Sequence, residues 1–321
     1  MNLKGLERRI LDVTFPYPVI VAGGIYKTAA HVGMIVDTDV IPEWGSITTE
    51  PKPGNGGRDY YAEYRDVPYQ GRVLIRTLNS IGLTNPGMKH VEKHAAELLK
   101  RYEDAGKPLI LNVSGESVDD LLELVERAIA AGFRVIVMNG ACPNGANSDG
   151  SRIPILCWDK ASVAYFFAEC DRRFARSGAV LFWKISNGIT EELLEFNTTC
   201  VLNSFACSGI VNGNTVPSIE LTLPNGEPAI KTDNGFTKGG LAGPAIQMSA
   251  LRQTAYSASR FNDAKVVVTC GGVSTAKHVL LAFDSGGYMV ALNSAFREAG
   301  ERPRFITNLL DELDRLLEKR A

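Results

Sequence analysis

Four short clusters of polar or reactive residues each follow directly on an apolar run in this 321-residue chain. Asn139-Gly140-Ala141-Cys142-Pro143-Asn144 follows Val135-Ile136-Val137-Met138, and Lys184 ends Ala179-Val180-Leu181-Phe182-Trp183. Asn212-Gly213-Asn214-Thr215 follows Ile210-Val211, and Cys270-Gly271-Gly272-Val273 follows Val266-Val267-Val268-Thr269. A thiol of ordinary pKa about 8.5 accepts a proton once ionised, which makes Cys142 a candidate base. The plainer reading of Cys142 is a small apolar filler. Asparagine offers donors and an acceptor without charge, so several together grip a planar amide or imide. Lys184 is either a fixed cation or an amine that forms a Schiff base with a carbonyl. A lysine at the core edge that reaches out to solvent is the plain alternative.

Glycine pairs suggest a second chemistry. Gly239-Gly240-Leu241-Ala242-Gly243 and Gly271-Gly272 each precede a helix-like pattern, and Asn293-Ser294 follows the last apolar run. Backbone N–H groups in such loops approach an anion closely, whereas the plain reading is a set of tight turns. His90 and His94 are four apart but lack an accompanying carboxylate motif, so no metal site is expected there. The six cysteines form no C-x-x-C pair, so neither a disulfide scaffold nor a local metal knuckle is expected.

These groups work together only if the elements before them end side by side. Val19-Ile20-Val21-Ala22, a run beginning at Val40-Ile41 and reaching towards Ile47, Leu109-Ile110-Leu111-Asn112-Val113 and Tyr288-Met289-Val290-Ala291 add further strand candidates. Continuous apolar strands of this kind are buried on both faces, as in parallel sheets. Helical faces lie between them: Val91, Ala95, Leu98, Leu99 and Tyr102; Val118 to Ala128, capped by Ser117; Val163 to Phe174, capped by Asp159; Ala250 to Ala255; and Phe305 to Leu317. Alternation with about eight strands predicts an α/β (β/α)₈ TIM barrel; a doubly wound open sheet is the competitor. In a barrel all four clusters fall at one mouth, with the phosphate candidates near strands 7 and 8.

Residues 45–72 read as a long loop, and 216–240 as a β-hairpin excursion with turn residues Pro224-Asn225-Gly226. Inserted loops at the C-terminal face are expected to be functional. No linker interrupts the chain, so one domain over residues 1–321 is expected. Hydrophobic residues are 45% and charged ones 22%, with a net charge of −2, which points away from disordered chains and gives no reason to expect nucleic acid. No apolar run approaches the roughly 18 residues of a membrane span, and residues 1–9 lack the apolar stretch of a secretory signal. A cytoplasmic protein is therefore expected.

The ordered set of motifs resembles the FMN-dependent dihydroorotate dehydrogenase family over nearly the whole chain. Asn79-Ser80-Ile81-Gly82-Leu83-Thr84-Asn85-Pro86-Gly87 is similar to its N-x-x-G-L-x-N-P-G loop, and Asn139 to Asn144 to its N-x-S-C-P-N motif. Lys184, Asn214-Thr215, the 239–243 glycines and Cys270-Gly271-Gly272 follow in the family's order, and Glu50-Pro51-Lys52-Pro53-Gly54-Asn55 resembles the stretch ending in G-N. The resemblance implies a barrel with FMN at its mouth. Cys142 then takes the proton from the substrate carbon next to a carbonyl, and hydride from the neighbouring carbon goes to flavin N5. Asn79, Gly82, Leu83, Asn139, Asn144, Asn214 and Thr215 would hold a pyrimidine-like ring. Lys184 would face the flavin N1–O2 edge, with Ala22, Gly23, Gly24, Gly45, Ser46, Asn112 and Asn139 around the isoalloxazine. Gly243, Gly271, Gly272, Asn293 and Ser294 would cradle the phosphate.

The substrate side departs from the family pattern. Gly45 of Gly45-Ser46-Ile47-Thr48 stands where the family's K-T-x-T stretch has lysine, Ala141 replaces the serine before the cysteine, and Gly54-Asn55-Gly56-Gly57-Arg58 lacks the prolines of G-N-P-x-P-R. The expectation is a dihydropyrimidine or cyclic amide substrate, dihydroorotate or another, with Lys52 or Arg58 as candidate replacements for the missing cation. A soluble acceptor such as fumarate and a homodimer are expected. The rivals are a Schiff-base aldolase-type barrel on Lys184 and a flavin-binding relative that has lost the reaction.

Overall fold

The computed structural model describes residues 5–56, 61–64, 68–69, 72–73, 76–142, 155–223 and 225–320. Eight parallel strands form its centre: β1 (Val19–Val21), β2 (Glu43–Ile47), β3 (Ile110–Val113), β4 (Val135–Asn139), β5 (Val180–Ile185), β6 (Cys207–Asn212), β7 (Val266–Cys270) and β8 (Met289–Leu292). Their order is β1-β8-β7-β6-β5-β4-β3-β2. A parallel bridge between Val21 and Pro42 brings β1 back to β2, with Val21 N donating to Ile41 O at 2.8 Å. The sheet is thus a (β/α)₈ barrel and not an open doubly wound sheet.

The apolar runs explain the strands. Every residue of β3, β4, β5 and β8 is buried, because barrel strands face a filled interior on one side and helices on the other. Around them lie α1 (Ala29–Gly33), α2 (Met88–Asp104), α3 (Val118–Ala130), α4 (Lys160–Phe174), α5 (Glu191–Asn203), α6 (Gln247–Phe261), α7 (Ala276–Asp284), α8 (Ser294–Glu298) and α9 (Arg304–Glu318). The two expected caps are made: Ser117 accepts from Asp120 N at 3.2 Å and Asp159 from Ser162 N at 2.9 Å. The α5 helix was not legible as an apolar face, because its buried side carries Asn197 and Thr198 beside Leu194 and Val201. Asn197 accepts from Trp183 Nε1 at 2.7 Å and donates to Cys157 O at 2.9 Å, so its polarity is spent inside the core.

Three expectations need correction. β2 begins at Glu43, because Val40 and Ile41 form the buried approach to it and Pro42 lacks an N–H for the ladder. The 45–72 segment is not simply a loop: β2 occupies its first residues, and Tyr61–Tyr64 pairs antiparallel with Arg76–Asn79. The hairpin at 216–240 is wider than expected. Its ladder joins Val216–Ile219 to Gly239–Ala242, while Thr222 and Pro228 make a single inner bridge. Together these strands form a four-stranded sheet in the connections after β2 and β6, and so at the C-terminal end of the barrel. Leu78, Leu221, Ile230, Leu241 and Ile246 give it a small core of its own. Among the described residues no helix is long and apolar enough to cross a membrane.

Candidate active site

A cavity of ≈ 870 Å³, counting its open mouth, lies at the C-terminal ends of the strands. Ala22, Gly23 and Gly24 reach it from the end of β1, Lys184 from β5, and Gly271 and Gly272 from the end of β7. Gly243 enters from the accessory sheet, and Asn293 and Ser294 from the end of β8. Arg297 and Glu298 complete this wall on α8.

A second cavity of ≈ 570 Å³ adjoins the first, and both are lined by Gly23, Gly24, Asn79, Lys184, Asn214 and Thr215. It adds Ser46, Gly82, Leu83, Asn139 and Cys142 from the expected set. Asn144, like Arg58, lies outside the described residues. Gly45 and Asn112 stand behind the wall and line neither cavity. Lys52 is ion-paired with Glu116 and is absent from both walls.

The polar groups are oriented by one another. Asn139 donates to Ser46 Oγ at 3.1 Å and accepts from Ala141 N at 3.2 Å and Asn214 Nδ2 at 3.3 Å. Asn187 donates to Asn214 O at 2.6 Å and Cys270 O at 3.2 Å, tying the ends of β6 and β7 together. Asn293 donates to Gly23 O at 2.9 Å, Arg297 to Gly24 O at 2.7 Å, and Thr77 shares a hydrogen bond of 3.1 Å with Ser294.

The largest omission from sequence reasoning is Glu43. It is fully buried, and its Oε2 accepts from Gly23 N at 2.8 Å and Asn112 Nδ2 at 2.6 Å and lies 3.7 Å from Lys184 Nζ. Burial opposes the charge of Lys184, but Glu43 beside it holds the ammonium pKa above its ordinary value, with Cys270 and Cys142 acting the same way. A carboxylate inside the apolar stretch Val40-Ile41-Pro42-Glu43-Trp44 was the available signal, since buried charges are paired. Lys27, Asn187 and Arg297 were also missed; nothing in their local spacing marks them.

This electrostatics argues against the aldolase-type rival. A Schiff-base lysine needs a readily available neutral amine, whereas Glu43 keeps Lys184 protonated. His90 proves to be structural: its Nε2 accepts from Ala29 N at 3.1 Å, and its ring meets Trp44 edge-on. Among the described residues no cluster of three His, Cys, Asp or Glu suits a metal.

The site suits FMN on three observations. The larger cavity is walled by glycine-rich backbone at Gly23-Gly24 and Gly271-Gly272, with Arg297 as a cation. Thr215 Oγ1 and Asn187 Oδ1 are buried without a hydrogen-bond partner among the described residues, as is Asn112 Oδ1 behind the wall. Lys184 stands where the two cavities meet, and its charge is fixed by Glu43.

Sequence comparison agrees with this geometry. The family model described as "Dihydroorotate dehydrogenase" matches residues 5–317. Among curated relatives, the chain is 28% identical over 311 residues to the protein named dihydroorotate dehydrogenase B (NAD(+)), catalytic subunit, of Staphylococcus carnosus, covering 94% of this chain and 89% of that one. It is 27% identical over 320 residues to the protein of the same name from Listeria welshimeri, covering 98% and 95%. For the Lachnoclostridium phytofermentans protein of that name the figures are 27% over 295 residues, 89% and 86%.

Proposed function

The chain belongs to the dihydroorotate dehydrogenase family, and from that premise we propose that it oxidises dihydroorotate, or a closely related dihydropyrimidine or cyclic amide, with Cys142 as the base. It is an FMN-dependent oxidoreductase acting on CH–CH groups. FMN held in the larger cavity would supply the two-electron acceptor for hydride from one ring carbon. Cys142 removes a proton from the neighbouring carbon, next to a carbonyl, so two C–H bonds break and one carbon–carbon double bond forms. Asn79, Asn139 and Asn214 hold the ring by amide hydrogen bonds with Thr215, and Gly82 and Leu83 form the wall beside them. Lys184 offers a fixed positive charge where the cavities meet, and Glu43 positions it. Ala22, Gly23 and Gly24 would carry the ring system, with Ser46 on the wall of the smaller cavity, and Asn112 supports Gly23 from behind through Glu43. Gly243, Gly271, Gly272, Asn293, Ser294 and Arg297 take the phosphate end.

The observation carrying this reading is that Cys142, three asparagines and Lys184 share one cavity that opens into a second, glycine-walled one. Mixed anaerobically with dihydroorotate and, separately, dihydrouracil, the yellow holoprotein is expected to lose its flavin absorbance near about 450 nm with at least one of them. Cys142→Ala should keep the colour and slow the bleaching by on the order of 10²–10⁴-fold. A holoprotein that neither ring bleaches is the flavin-binding relative without the reaction. The proposed acceptor is soluble: fumarate on the sequence reading, NAD(+) in the name the relatives carry. Reoxidation of reduced holoprotein by each separates them. The proposed homodimer is checked by sedimentation equilibrium.

A further inference from the structure

Lys27 lies between β1 and α1, and its loop is fastened to β2. Gly24 N donates to Gly45 O at 2.6 Å, Gly45 N to Tyr26 O at 2.9 Å, and Trp44 Nε1 to Lys27 O at 3.1 Å. Residue 45 is itself pressed against β3: a Cβ there would stand 2.2 Å from Asn112 O, at φ +130°.

Lys27 forms part of the wall of the smaller cavity, beside Ser46, Asn139, Cys142 and Asn214, and is absent from the wall of the larger one. Most of the polar groups in that smaller wall are neutral amides and hydroxyls. Its other cation, Lys184, already has Glu43 as counter-ion. Among the described residues no carboxylate pairs with the Lys27 ammonium, and a strongly felt charged neighbour is another cation, Arg297. Burial pushes Lys27 down to about 8, the ordinary response of an ammonium removed from water without a counter-ion. A guest carrying an anionic group would supply what the wall lacks.

We propose that Lys27 recognises the carboxylate of a ring substrate, so that the pocket selects carboxylated dihydropyrimidines over uncarboxylated ones. This rests on the reading of the smaller cavity as the substrate pocket. Arg297, on the wall of the larger cavity, takes the phosphate end of the cofactor, which leaves the two cations with separate anions.

The test is equilibrium binding without turnover. FMN-loaded protein is titrated with orotate, the oxidised carboxylated ring, and with uracil, its uncarboxylated counterpart, following the perturbation of the flavin spectrum. The wild-type protein is expected to prefer orotate by tenfold or more. Lys27→Met should weaken orotate by roughly ten- to a hundredfold, the range of one charge-assisted hydrogen bond, and leave uracil within about threefold. Lys27→Arg should retain most of the preference, and Lys27→Gln repeats the comparison if the methionine variant fails to take up FMN. Unchanged orotate affinity in Lys27→Met, or a wild-type protein that binds uracil as well as orotate, overturns the role of Lys27 while the pocket reading stands. A wild-type holoprotein that binds neither ring overturns the pocket reading and this inference with it.

Discussion

Two lysines on one cavity wall have opposite electrostatic fates, and the difference lies in one carboxylate. Lys184 is the more buried, yet Glu43 at 3.7 Å keeps it charged; Lys27 has no such neighbour among the described residues and is held down at about 8 by burial and then by Arg297, with Cys142 acting the other way. The sign of the pH dependence follows. Below pH 8 Lys27 carries its proton and attracts an anion; as pH rises through 8 the charge is lost and orotate affinity should fall. Lys27→Arg should flatten that fall, because a guanidinium stays charged. Titrations between about pH 6.5 and about pH 9.5, in a Cys142→Ala background that silences the thiol, check this. A flat profile with Lys27 present would contradict it. Cys142, the asparagines and Lys184 could be nominated from residue type alone. Glu43 and Lys27 could not be ranked that way, because what matters is which charge faces which.

At the scale of elements, β2 shows how a missing side chain alters a site. Gly45 stands where the family has lysine, and its Cβ position is filled by the backbone of β3. Gly45→Ala is therefore expected to cost roughly 2–5 kcal/mol through strain and overpacking. Gly106→Ala, also at positive φ but with nothing within 4 Å, should cost only about 1–2 kcal/mol. Thermal denaturation of the two apoproteins side by side makes the comparison, and equal losses would refute the close packing of β2 against β3. The elements themselves were legible where burial is apolar, as in β4 and α3. They were obscure where it is polar: α5 turns Asn197 and Thr198 inwards, and Trp183 and Cys157 that satisfy Asn197 come from distant parts of the chain.

Across the whole molecule, the barrel converts eight separate strand ends into one mouth. Residues as far apart as Gly23 and Arg297 meet there to line one cavity. A ligand that binds only this assembled state must stabilise it by mass action, by about 2.7 kcal/mol at a hundredfold excess over its dissociation constant. Adding FMN to apoprotein should raise the melting temperature by several degrees. Riboflavin, which lacks the phosphate, should raise it much less at equal concentration, because the contacts of the phosphate with Arg297 and the glycine amides are then not made. Equal shifts from the two would remove the phosphate role from that end of the cavity.

The alternation of apolar runs and amphipathic faces determined the barrel, since burial on both sides of a strand and one side of a helix is written into residue type and period. Ordered motifs determined the family and named many of the residues that line the two cavities, though Gly45 and Asn112 stand outside them. The wider 216–242 ladder, the polar interior of α5, the Glu43 counter-ion and the place of Lys27 were decided only by tertiary structure. Each depends on a pairing between residues remote in the chain, and both the geometry of such pairs and the strength of their charges arise once folding has excluded the water between them.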